Sequence, residues 1–236
     1  MDISLYYQEK GSGTPFVLLH GNSQDGSYFR SQIDFFSDNY RMIAVDTRGH
    51  GKSPRGNAPF TMNQFVEDLN NLLNKLELSQ VILLGFSDGA NIAMKFAIKY
   101  PEKIKALILD GGNLNTKGVK GTTQFLIELG YKVTKVFSKK SRAAKRNMEL
   151  LGLMVNEPNI KIKELHSIQI PTLVIAGKKD MIKESHTREI ADNIPNAELS
   201  IINGNHFIAN QESKAFNQEI EKFLVKTLKN NTNYNV

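Results

Sequence analysis

The sequence predicts an α/β fold, a mostly parallel twisted sheet with helices on both faces. Short, nearly unbroken apolar runs recur along the 236 residues, and amphipathic segments of helical period alternate with them. The 40% apolar and 23% charged content is that of a chain able to bury one substantial core. No run approaches the ~18 consecutive apolar residues of a membrane span.

The elements follow in order. Residues 3–7 (Ile3-Ser4-Leu5-Tyr6-Tyr7) alternate apolar and polar, which predicts an antiparallel edge strand. The runs 16–19, 42–45, 81–84, 106–109 and 172–176 are continuously apolar and predict strands buried on both faces. Residues 198–202 predict a further strand nearer an edge. Phe65, Leu69, Leu72, Leu73 and Leu76 share one helical face, with Thr61 and Gln64 as a capping box. Ala90, Ala93, Met94, Ala97 and Ile98 form a stripe of mostly small residues that lets a helix lie close to the sheet. Phe216, Ile220, Phe223, Leu224 and Leu228 predict a C-terminal helix.

One interval breaks the alternation. Residues 113–168 are too many for a loop and carry apolar positions at helical spacing (Phe125, Leu129, Val133, Val136), so they predict a small helical insertion. The core then comprises 1–112 and 169–229 as a single domain. The polar end, 230–236, is expected to lack order.

Composition narrows the function classes. There are no cysteines, which excludes disulfides, thiol nucleophiles and cysteine-ligated metals. The N-terminus lacks the basic and apolar segments of a secretory signal, and a cytoplasmic protein is expected. The net charge of +6 invites an anionic partner. Its densest source, Lys132 through Arg146, has no aromatic platform or nucleic-acid motif, so it reads as a solvated helix face, with attraction of an acidic substrate as the alternative. No nucleic-acid and no membrane partner is expected, and the chain is a monomer or homodimer.

The chemistry is concentrated at Gly85-Phe86-Ser87-Asp88-Gly89, placed between a buried strand and an amphipathic helix. A strand that turns into a helix at one residue crowds its neighbours; glycine on both sides relieves this and lets Ser87 project from the sheet edge. A serine hydroxyl needs an adjacent base to become nucleophilic. Among five histidines, His206 follows the last strand at the same sheet edge and is the candidate base. His20 is expected to hold a loop, and His166 and His186 to be solvated or capping residues. Asp180, directly after the strand at 172–176, is the candidate acid that orients the imidazole; Asp110, also strand-terminal, is its rival. Asp88 suits the first turn of a helix, and its carboxylate could also attract an ammonium on the substrate.

These segments, with His20-Gly21-Asn22, Asp46-Thr47-Arg48-Gly49-His50-Gly51-Lys52-Ser53 and Gly204-Asn205-His206, resemble the α/β-hydrolase fold superfamily over nearly the whole chain. The elbow and Ile98-Lys99-Tyr100-Pro101 look most like its valacyclovir hydrolase (biphenyl hydrolase-like) branch. The resemblance implies the order Ser, Asp, His for the triad, and backbone N–H groups of Asn22 and Asp88 as an oxyanion hole, each contributing about 3 kcal/mol to the transition state. It implies structural or pocket-rimming roles for Asp46, Arg48 and His50, and places 113–168 as a cap over the pocket. Serine at 87 departs from the aspartate of haloalkane dehalogenases and epoxide hydrolases. The expected activity is hydrolysis of a small-molecule ester without cofactor or metal. Thioester, amide or carbon–carbon cleavage by the same triad, and a non-catalytic ligand-binding or signalling protein, are the alternatives.

Overall fold

The computed structural model describes residues 2–230, and the polar end beyond Asn230 lies outside them. Seven strands form one sheet: β1 (Tyr7–Lys10), β2 (Thr14–Leu19), β3 (Tyr40–Val45), β4 (Val81–Phe86), β5 (Ile104–Asp110), β6 (Thr172–Gly177) and β7 (Ala197–Ile202). Their spatial order is β1-β3-β2-β4-β5-β6-β7, with β1 antiparallel to β3 and every other pair parallel.

The edge strand lies further along the chain than the alternation at 3–7 predicts. Ile3 and Leu5 are buried, but in the core rather than in the ladder. The pairing with β3 runs from Tyr7↔Val45 to Lys10↔Met42. The apolar period at Ile3 and Leu5 marks burial and not pairing: the ladder needs β3 alongside, and β3 ends at Val45.

The helices are α1 (Arg30–Phe36), α2 (Met62–Lys75), α3 (Asp88–Lys99), α4 (Gly121–Phe137), α5 (Arg142–Asn156), α6 (Ile162–Leu165), α7 (Glu184–Asn193), α8 (Ile208–Gln211) and α9 (Ser213–Asn230). Successive strand residues point to opposite faces, and both faces are covered. Val17 and Leu19 of β2 join a core with Leu69 of α2, Met94 of α3 and Ile190 of α7. Phe16 and Leu18 join the other, with Phe36 of α1 and Phe216 and Ile220 of α9. This double coverage explains the unbroken apolar strands.

Only half of the predicted capping box forms. Thr61 Oγ1 accepts from the Gln64 N–H at 3.2 Å, but the Gln64 side chain donates to Asp68 instead. Asp68 is buried and paired with Arg48, and this satisfies more demand than a backbone N–H at the helix start.

The interval between β5 and β6 holds α4, α5 and α6. Arg55 joins Glu149 of α5 to the core through two hydrogen bonds of 3.0 and 2.8 Å. Among the described residues, no helix is long and apolar enough to cross a membrane.

Candidate active site

The turn from β4 into α3 is tight enough to dictate its residues. Ser87 has φ 54° and ψ −118°, a conformation that non-glycine residues rarely adopt. A Cβ at Gly85 would collide with the carbonyl of Gly89, and a Cβ at Gly89 with the carbonyl of Leu19. Two close backbone approaches therefore require the glycines flanking the serine. The Ser87 N–H donates to the Asp110 carbonyl at 2.8 Å, which fixes the elbow to β5.

Parallel strands deliver the other side chains to the same edge. Asp180 follows β6 and His206 follows β7. His206 Nε2 lies 3.0 Å from Ser87 Oγ, and His206 Nδ1 lies 2.7 Å from Asp180 Oδ1. The carboxylate holds the proton on Nδ1, which leaves Nε2 free to accept from the serine. Asp180 Oδ1 also accepts the Ile182 N–H at 2.8 Å, so one carboxylate oxygen takes both hydrogen bonds, while Oδ2 is buried without a partner among the described residues. Asp180 and His206 are both buried, whereas Ser87 is half-buried. The Phe86 ring packs against the imidazole with centroids 4.9 Å apart. The structure thus brings Ser87, His206 and Asp180 into one hydrogen-bonded series.

Asp110 is placed differently from Asp180. It is fully buried, and neither carboxyl oxygen has a hydrogen-bond partner among the described residues. Burial, reinforced by the charge of Asp180, holds its pKa well above the usual carboxylate value. It makes no hydrogen bond to His206, whose Nδ1 is taken by Asp180, and is therefore not the partner of the histidine.

Asn22 and Asp88 face each other across the elbow. Asn22 Nδ2 donates to Asp88 Oδ2 at 2.8 Å and to the Leu150 carbonyl of α5 at 2.9 Å. Neither backbone N–H has an acceptor among the described residues. Burial pushes the Asp88 pKa up to about 6, and the Asn22 hydrogen bond works against that rise.

The loop residues divide clearly. His20 is buried, donates from Nδ1 to the Gly21 carbonyl at 2.7 Å, and accepts the Thr47 N–H on Nε2 at 3.0 Å. Burial lowers its pKa, so it stays neutral and ties the loop after β2 to the loop after β3. Asp46 accepts the N–H groups of Gly26 and Lys52, both at 2.8 Å. Arg48 is fully buried between Asp68 (2.6 and 2.7 Å) and Asp2 (2.7 and 3.0 Å), so it braces the fold rather than rimming a pocket. His50 is also buried, which pushes its pKa down to about 4. His186 is not the solvated or capping residue expected: it is buried and accepts the Leu114 N–H at 3.0 Å. The stretch after β5 leaves that N–H without a ladder partner, and only a buried acceptor can supply one.

The space beside Ser87 is closed. Gln124 and Ile127 of α4, Met154 of α5, Glu157, Met181 and Ile182 crowd it, and the cavity left is about 10 Å³. These residues escaped the sequence reading except as members of an insertion. Glu157 is half-buried, its pKa raised by burial, and its carboxylate accepts the Met62 N–H at the start of α2.

Comparison with known proteins fits this geometry. The alpha/beta hydrolase fold family matches residues 14–129. The chain is 29% identical over 89% of its length to a proline iminopeptidase of Pestalotiopsis fici, covering 91% of that protein. It is 25% identical over 93% of its length to a 3-oxoadipate enol-lactonase of Acinetobacter baylyi, covering 92% of that protein. A thermophilic esterase from Thermogutta terrifontis superposes with a TM-score of 0.77 at 23% identity, over 95% of this chain and 94% of that one. These relatives do not single out the valacyclovir hydrolase branch. With the family match, the sheet order and the strand–turn–helix at Ser87 together, the chain belongs to the α/β-hydrolase fold superfamily and is an enzyme of that kind.

Proposed function

We propose that the protein is a serine hydrolase that cleaves a small carboxylic ester through an acyl-enzyme. The carrying observation is the series Ser87 Oγ–His206 Nε2 at 3.0 Å and His206 Nδ1–Asp180 Oδ1 at 2.7 Å. His206 Nε2 takes the Ser87 proton as Oγ bonds to the ester carbonyl carbon. The carbonyl oxygen gains the negative charge and lies between the N–H groups of Asn22 and Asp88. The intermediate collapses with cleavage of the C–O bond, and His206 returns the proton to the leaving alcohol. Water then gives a proton to His206 and attacks the acyl carbon; the bond from that carbon to Ser87 Oγ breaks, His206 returns the proton to Oγ, and the acid leaves. The Asp180 carboxylate, bonded to Nδ1, steadies the imidazolium in both halves of the cycle.

A lactone is a cyclic ester, so the enol-lactonase relative supports an ester-type bond, while the proline iminopeptidase relative supports an amide as the alternative. A second reading narrows the substrate. Asp88 and Glu157 both border the cavity, and an ammonium group on the substrate would draw both into their ionised forms. Glu157 also has a purely structural use at the start of α2, so this reading rests chiefly on Asp88.

The test is burst kinetics with a chromogenic ester together with labelling by a fluorophosphonate probe. Both are expected for the wild type and neither for Ser87→Ala. Unimpaired turnover by Ser87→Ala would overturn the proposal, and an unlabelled wild type would point to a binding protein on the same fold.

A further inference from the structure

The helix that closes the site carries a second surface. Its inner face contributes Gln124 and Ile127 to the cavity at Ser87. Its outer face is apolar and open: Phe125, Leu126, Leu129, Val133, Val136 and Phe137 are 65%, 66%, 48%, 50%, 72% and 54% exposed. At 100° per residue the six fall within an arc of about 120° along a helix roughly 25 Å long. Scattered apolar residues on a surface need no explanation, but a contiguous arc of six does.

Charge identifies what covers it. Lys132 and Lys135 run along one edge of the arc, and five further cations with no acid fill the exposed stretch at 138–146, which runs from the end of α4 into the start of α5. Residues 117–146 hold nine Lys and Arg against one acid, Glu128, a net +8, whereas the whole chain carries +6. The remaining residues are therefore net −2, and the positive charge belongs to this segment.

A second copy of the chain fits poorly. A twofold contact through this arc would set Lys132 and Lys135 against the same edge of the partner, with only Glu128 to compensate. A surface that is negative at its headgroups and apolar just below satisfies both features at once. We propose that α4 docks the enzyme on an anionic lipid bilayer, with its apolar arc in the interface and its lysines among the headgroups. The absence of a spanning segment does not bear on this mode, because such a helix lies in the plane of the interface. The same docking places the roof of the Ser87 site against the lipid.

The test is flotation of the full chain with vesicles of phosphatidylcholine, with and without 30% phosphatidylglycerol. The expected result is binding to the anionic vesicles at least tenfold tighter than to neutral ones, weakening as salt rises. Phe125→Ser/Val136→Ser and, separately, Lys132→Glu/Lys135→Glu should each reduce it at least tenfold while hydrolysis of a soluble ester is retained. Equal partition onto both vesicle types, or none, overturns the proposal. So does a dimer in light scattering that Phe125→Ser/Val136→Ser dissolves, since a second copy would then own the face. The vesicle readout does not depend on turnover, so its failure is distinguishable from failure of the hydrolase reading.

Discussion

Asn22 Nδ2 donates a 2.8 Å hydrogen bond to Asp88 Oδ2, joining two residues 66 positions apart whose backbone amides are the candidate oxyanion donors. The side chains thus position the loop whose main chain is proposed to act. Asn22→Ala leaves both amides in place and removes this tether. A hydrogen bond to a charged group contributes about 1.5–3 kcal/mol, so kcat is expected to fall by roughly tenfold or more, with a smaller change in KM. Steady-state kinetics on one ester checks this.

The two strand-terminal aspartates separate by partner: Asp180 bonds the histidine and Asp110 does not. Asp180→Asn should lower kcat by about 10⁴, because the amide favours the wrong imidazole tautomer. Asp110→Asn should leave kcat within a few-fold, since the Asp110 carboxyl makes no side-chain hydrogen bond to the histidine or to any other described residue. Comparison of the two kcat values decides it, and the reverse ranking would exchange their roles.

Asp88 makes stability depend on pH. Its folded pKa of about 6 lies above the ordinary 3.8, so between those values the folded chain keeps a proton that the unfolded chain releases. Stability from this group is therefore lost as pH rises through that window, at a cost of about 3 kcal/mol above it. Asp88→Asn should unfold at higher denaturant than wild type at pH 8, and the gain should vanish by pH 4. Urea midpoints across that range provide the measurement.

The buried ion cluster predicts a stability loss remote from the chemistry. Removing Arg48 strands the buried carboxylate of Asp68, and breaking a buried pair this way costs about 3–5 kcal/mol. Arg48→Met should show this loss in thermal unfolding. Arg48→Lys should recover only part of it, because a single ammonium cannot supply the forked donors that Asp68 and Asp2 both use.

What the sequence disclosed follows from what is local. The elbow was legible because its glycines answer to contacts within a few residues and one neighbouring strand, and the strands because burial on both faces leaves an unbroken apolar run. His206 and Asp180 were legible by their positions after parallel strands, which deliver them to one edge. The start of β1 was misplaced because the apolar period at Ile3 and Leu5 records burial and not backbone pairing. His186 was misjudged because its partner, the Leu114 N–H, lies 72 positions away in a stretch with no pattern of its own. Glu157 and Met154 were invisible for the same reason: they become neighbours of Ser87 only through the path of the insertion.

The closed space beside Ser87 has a quantitative consequence. About 10 Å³ is the room of roughly one water-sized sphere, far short of an ester, so a substrate fits beside Ser87 only where the roof moves. Binding must draw on molecules whose roof is raised, and the apparent dissociation constant for every substrate is the open site's own divided by the fraction so raised. Were roughly one molecule in a hundred open, each measured dissociation constant would be about a hundredfold weaker than the open site's own. Any agent that shifts that population, including a surface that takes hold of the outer face of α4, would sharpen the enzyme toward all its substrates alike without touching Ser87.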